Sequence, residues 1–94
     1  MDCDYEGLFQ GLDNLGSKFS ESGNVINLSA SGIYALTKRY IDTGSVVRVR
    51  VALPTGSLEW GTSKLDIKGR VVRTEPRLDG KVGIAIRFEA YKFL

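Results

Sequence analysis

The 94-residue chain has no histidine, a single cysteine, and no apolar run long enough to cross a bilayer. Lacking histidine, it lacks the commonest general base near neutral pH and the commonest metal ligand. The single thiol, Cys3, excludes an intrachain disulfide. With no histidine partner, and in a terminal segment expected to fray, Cys3 is not expected to act as a nucleophile. The first residues are acidic where a secretory leader needs a basic segment, so a cytoplasmic location with a reduced thiol is expected. No stretch carries apolar residues at the helical period over about eleven positions. Ligand-type side chains are not clustered at metal-site spacing, and there is no glycine-rich phosphate loop of the Walker type. The carboxylates Glu59, Asp66, Glu75 and Asp79 fall at scattered strand and turn positions and are expected to be solvated. These absences leave no catalytic residue, no metal site and no cofactor to assign, and an enzyme is not expected.

What is present is a rhythm of turns. Asp13-Asn14-Leu15-Gly16, Ser20-Glu21-Ser22-Gly23-Asn24, Ser29-Ala30-Ser31-Gly32, Asp42-Thr43-Gly44, Pro54-Thr55-Gly56 and Leu78-Asp79-Gly80 are turn-forming clusters. Short runs rich in Val, Ile, Tyr and Phe lie between them, the pattern of an all-β sandwich or barrel. Alternation supports this. In Val47-Arg48-Val49-Arg50-Val51 the valines share one face and the arginines the other. In Val82-Gly83-Ile84-Ala85-Ile86-Arg87-Phe88 the even positions are bulky and apolar. From Leu65 to Arg73 the alternation holds until Val71-Val72, and Gly69 just before the break marks a candidate bulge. The pattern predicts strands at 5–12, 18–28, 32–38, 45–53, 59–73 and 82–89. Six strands joined by tight hairpins hide their edges best by closing, so one domain, residues 1–94, is expected as a six-stranded antiparallel β-barrel. Ile84, Ile86 and Phe88 should face its core, and Arg48, Arg50 and Arg87 should stay outside it.

The net charge of +2 hides an asymmetry. Residues 1–24 carry five acids against Lys18, a balance of −4, which leaves +6 on residues 25–94. A basic body attracts anionic partners. Arg48, Arg50, Arg70, Arg73 and Arg87, with Tyr34, Tyr40 and Trp60, would be the raw material of an oligonucleotide-binding barrel. Aromatics in core or hairpin packing and solvated arginines account for the same residues, so nucleic acid is not the expected partner.

The most distinctive segment is Asn27-Leu28-Ser29-Ala30-Ser31-Gly32, a polar turn between Val25-Ile26 and Ile33-Tyr34-Ala35-Leu36. Asn and Ser supply donors and acceptors suited to a base edge or a phosphate, and Gly permits positive φ and close backbone approach. Its spacing, (Asp/Asn)-x-Ser-x-x-Gly, resembles the loop signature of the bacterial PilZ domain, the receptor module for cyclic di-GMP. The order of later features fits as well: Asp42-Thr43-Gly44-Ser45 before Val46-Val47-Arg48-Val49, then Leu53-Pro54, Gly69-Arg70-Val71-Val72-Arg73, and Val82-Gly83-Ile84-Ala85-Ile86-Arg87-Phe88. The resemblance covers about residues 17–90. It implies a six-stranded antiparallel barrel, with the helix that often follows the last strand absent or cut short at Leu94.

The resemblance also implies a nucleotide site containing Asn27, Ser29 and Gly32. Asn27 would accept from a guanine N–H, Ser29 would bond a phosphate or base edge, and Gly32 would permit the tight backbone. The family completes this site with an upstream Arg-x-x-x-Arg clamp, whose guanidinium forks suit phosphate and guanine. Here no arginine precedes Arg39. The Arg73-Thr74-Glu75-Pro76-Arg77 segment lies far downstream of the loop and is not assigned that role. The acidic lead Asp2, Asp4 and Glu6 would repel a dianionic nucleotide. The expectation is a module of cyclic di-GMP signalling that binds the nucleotide weakly or not at all, does not contact a membrane, and acts through a regulatory protein partner. Leu28, Tyr34 and Tyr40 are expected to be presented near the motif for such contact.

Overall fold

Five residues of strict alternation set the geometry of the barrel. Val47, Val49 and Val51 are fully buried while Arg48 and Arg50 point outward, because successive side chains of a strand leave opposite faces. The computed structural model describes residues 1–13, 15–53 and 63–93. Six strands are formed: β1 (Asp2–Leu12), β2 (Lys18–Leu28), β3 (Gly32–Thr37), β4 (Val46–Leu53), β5 (Ser63–Pro76) and β6 (Val82–Phe93). They close into an antiparallel barrel in the order β1-β2-β3-β6-β5-β4, with β4 pairing back onto β1.

The expected strands are all present, with shifted ends. β1 begins three residues before the predicted start, since Asp2 already pairs with Asn27 and the Met1 amino group donates to the Leu28 carbonyl at 3.0 Å. The lead is therefore a strand, not a frayed tail. β5 runs on to Pro76 and β6 to Phe93 because the two pair along their whole described length, from Leu65 opposite Phe93 to Pro76 opposite Val82. The predicted start of β5 at 59, together with Trp60 and Glu59, lies outside the described residues.

The break at Val71-Val72 is a bulge. Val71 pairs with Ile86 and Arg73 with Ala85, so Val72 is skipped and left 46% exposed. A second skip lies beside Gly69 and leaves Glu89 without a direct partner. Each bulge adds twist where the ribbon bends around the barrel.

The core is filled by one inward residue after another: Phe9, Val25, Ala35, Val49, Ile67 and Ile84 are fully buried. Ile86 is buried as expected, whereas Phe88 is only partly covered and packs on the core at one mouth of the barrel. Beyond it Tyr91 and Phe93 lie on the same inner face of β6 as Phe88, opposite Ile67 and Leu65. They are largely exposed, and ring centroids 5.7 and 6.4 Å apart link the three rings. Arg48, Arg50 and Arg87 are exposed, as an unpaired guanidinium must be in so small a domain. Asp66 departs from expectation: it is 6% exposed, not solvated, and its Oδ1 lies 3.4 Å from Arg48 Nε.

Truncating Ile84 to alanine should cost about 2–5 kcal/mol by opening a cavity in the barrel. Val72→Ala, on the bulge, should stay within about 0.5 kcal/mol. Urea unfolding of both variants checks the register, and equal losses would refute it.

Candidate functional site

The Asn-Ser-Gly motif forms a hairpin that closes on itself. The Ser29 N–H donates to the Gly32 carbonyl at 3.0 Å, and Ser29 Oγ donates to the same carbonyl at 3.1 Å. The Gly32 N–H in turn donates to Ser29 Oγ at 3.2 Å. Three of the loop's polar contacts thus converge on one serine, which serves the turn before it serves any ligand. Gly32 does not use positive φ, which among the described residues is confined to Gly16, Gly44 and Gly80. Its requirement is close approach, because a Cβ there would collide with the Ile86 carbonyl of the neighbouring strand. The next link is Phe88, whose N–H donates to the Ser31 carbonyl at 2.9 Å and ties the loop to β6.

Asn27 stands second in a row that crosses five strands. Register places Asp2 opposite Asn27, Asn27 opposite Tyr34, Tyr34 opposite Ala85, and Ala85 opposite Arg73. Directly paired residues share a face, so these side chains lie in one outer band. The band holds a groove of about 330 Å³ lined by Asp2, Ile26, Asn27, Tyr34, Arg73 and Glu75. Asn27 donates its amide to Asp2 Oδ1 at 3.0 Å. Tyr34 donates its hydroxyl to Glu75 Oε2 at 3.1 Å, Arg73 pairs with Glu75, and the Arg73 guanidinium lies 5.9 Å from the Tyr34 ring centroid. Tyr34 lies flat enough that a Cβ on Gly83 would strike its hydroxyl. That is the reason for glycine at position 83.

The fold joins Ser29 to Gly32 by direct hydrogen bonds, whereas Asn27 bonds Asp2 and lines a groove with Tyr34, Arg73 and Glu75 that neither Ser29 nor Gly32 lines. The Val72 bulge turns Arg73 to the outer face, and β6 carries it to the motif. The alternation break at Val71-Val72 was the one signal of this in the sequence. Arg77 is not brought there, since it sits at the β5–β6 turn and pairs with Asp79 at 3.4 Å. Tyr40 also lies elsewhere: it is exposed beyond the far end of β3, about 17 Å of strand from Gly32. Leu28 packs partly against the core, not outward for contact.

Charge at this groove is unfavourable to anions, since Asp2 and Glu75 face the single cation Arg73. Cys3 is half-buried and donates weakly to the Val25 carbonyl at 3.4 Å. Burial pushes its thiol above the ordinary range, Asp2 and Asp4 push the same way, and the N-terminal ammonium opposes them. Asp79 is held below the usual carboxylate range, chiefly by the Lys81 N–H and then by Arg77. Among the described residues no three His, Cys, Asp or Glu side chains form a metal-binding group, and no helix is long and apolar enough to cross a membrane.

The barrel's second hairpin thus carries Asn-x-Ser-x-x-Gly and is tied to the last strand by its own backbone. The sequence profile of the PilZ domain matches residues 11–91, and the chain belongs to the PilZ domain family. That family comprises cyclic di-GMP-binding regulatory modules and is not typically catalytic. No match is found among curated proteins.

Ser29→Ala should destabilise the barrel by about 0.5–1.5 kcal/mol with no nucleotide present, measured by thermal unfolding. A neutral effect would show that the serine is held in reserve for a ligand. Iodoacetamide should alkylate Cys3 more slowly at pH 8 than a free cysteine and reach half-maximal rate at higher pH, because the raised pKa lowers the thiolate fraction.

Proposed function

We propose that this barrel is a regulatory module of cyclic di-GMP signalling in the bacterial cytoplasm, that residues 1–94 hold the nucleotide weakly, and that its output is contact with a protein partner. One observation carries this reading: the groove beside the motif is already satisfied by the chain itself. Asn27 gives its amide to Asp2 and Ser29 closes its own hairpin, while Arg73 is engaged by Glu75. A dianionic nucleotide entering the groove must displace those contacts and approach two carboxylates. It finds one guanidinium where the family's clamp supplies two.

Each absent charge-assisted hydrogen bond removes about 1.5–3 kcal/mol, or one to two decades of affinity. Asn27, Ser29 and Gly32 remain the residues through which weak binding would occur, with Arg73 as the neighbouring cation. Titration calorimetry of residues 1–94 with cyclic di-GMP should show weak or no binding, and Asn27→Ala and Ser29→Ala should abolish whatever is measured. Sub-micromolar affinity would overturn the reading. Residual binding that survives both substitutions would move the site off this loop.

A further inference from the structure

Away from the motif groove, a second outer row crosses the barrel. Ser22 of β2 stands opposite Leu8 of β1, Leu8 opposite Arg50 of β4, Arg50 opposite Asp66 of β5, and Asp66 opposite Lys92 of β6. Around its centre the strand period adds Arg48 on β4 and Lys64 and Lys68 on β5, all on the same face. One buried carboxylate, Asp66, thus sits among five cations. It lies 3.4 Å from Arg48 Nε, and among the described residues no carboxylate pairs with Arg50, Lys64, Lys68 or Lys92. The row also opens into a groove of about 640 Å³ whose walls include Glu6, Ser22, Lys38, Arg50 and Lys64 and whose floor includes Leu8, 38% exposed.

We propose that this basic groove is the docking surface for an extended acidic segment of a partner protein. The inference rests on the reading that the module acts by protein contact, and it names the chemistry of the partner. Charge complementarity supports it: among the described residues Lys38, Arg50 and Lys64 line the groove with Glu6 as its one carboxylate, and Arg48, Lys68 and Lys92 flank it around the buried Asp66. Spacing supports it too. Arg48 and Arg50, or Lys64 and Lys68 with Asp66 between them, follow the repeat of a strand, about 6.7 Å for every second residue. An extended chain bearing Asp or Glu at alternate positions has the same repeat. Its intervening side chains point away from the barrel.

Other anions fit less well. Single-stranded nucleic acid needs aromatic faces to stack on, and the aromatics of β6, Phe88, Tyr91 and Phe93, lie on the inner side of their strand.

The test uses a fluorescein-labelled peptide of about ten residues alternating Glu and Thr, about 34 Å long when extended, read by anisotropy at about 10 mM salt. The peptide should bind, release as salt rises, and lose about tenfold in affinity to Arg50→Glu with Lys64→Glu, two exposed ion pairs each worth a few-fold. Arg50→Gln with Lys64→Gln should lose less, and near-ultraviolet circular dichroism should show both variants folded. Arg73→Glu, at the motif groove, should change affinity less than about twofold. The proposal is overturned if the Gln-for-Glu peptide binds as tightly, or if the Arg50/Lys64 reversal leaves affinity unchanged. Tighter binding of oligouridylate or of phosphatidylserine–phosphatidylcholine vesicles would likewise overturn it. Tight cyclic di-GMP binding would overturn only the reading of the loop, since none of these probes occupies it.

Discussion

The structure depends on the double pairing of β1. This strand hydrogen-bonds to β2 along nearly its whole length and to β4 from Gly7 to Gly11. Remove either set and two sheet edges open, each a template for unwanted pairing. Closure also places Phe9, the largest fully buried side chain among the described residues, in the core. Two glycines leave room for its ring: a Cβ on Gly23 of β2 would come within 2.9 Å of it, and one on Gly7 of the same strand within 3.2 Å. A bulky aromatic set against small residues fills the narrow interior of a six-stranded barrel, where a uniform row of medium side chains would leave gaps.

Closure has a second consequence, because the outer face of the barrel then carries two grooves of different character. Towards β2, the acids Asp2 and Asp4 are taken up by Asn27 and Asn24, at 3.0 and 2.9 Å. The motif groove is consequently self-satisfied and poor in free cations. Towards β4 and β5, cations accumulate around a single buried carboxylate. The motif loop is internally bonded, while the other groove is lined by Lys38, Arg50 and Lys64 against Glu6. That disposition unites the two functional readings.

Most of the architecture is legible in the residue pattern, since alternation reports directly which face of a strand is buried. Val47 to Val51 and Val82 to Ile86 needed no further information. The ends of strands were less legible. β1 and β6 run past their predicted limits because a partner strand continues beside them, and a partner's length is not a local property. Asp66 was read as solvated because its alternation places it on the outer face. It is covered all the same, since burial depends on what neighbouring strands stack around a position as well as on the face it takes.

The sequence by itself determined the strand count, the inward set and the polar hairpin, because these follow from periodicity of two and from turn chemistry encoded within a few residues. It also determined that no arginine precedes the motif. Only the tertiary structure decided what stands beside what. The Val72 bulge rotates Arg73 outward, and β6, lying between β3 and β5, carries it to Asn27 although 45 positions separate them in the chain. The same closure sets Lys92 and Arg50 on either side of Asp66. Such neighbours are created by register across strands distant in sequence, and register is fixed by the packing of the whole barrel.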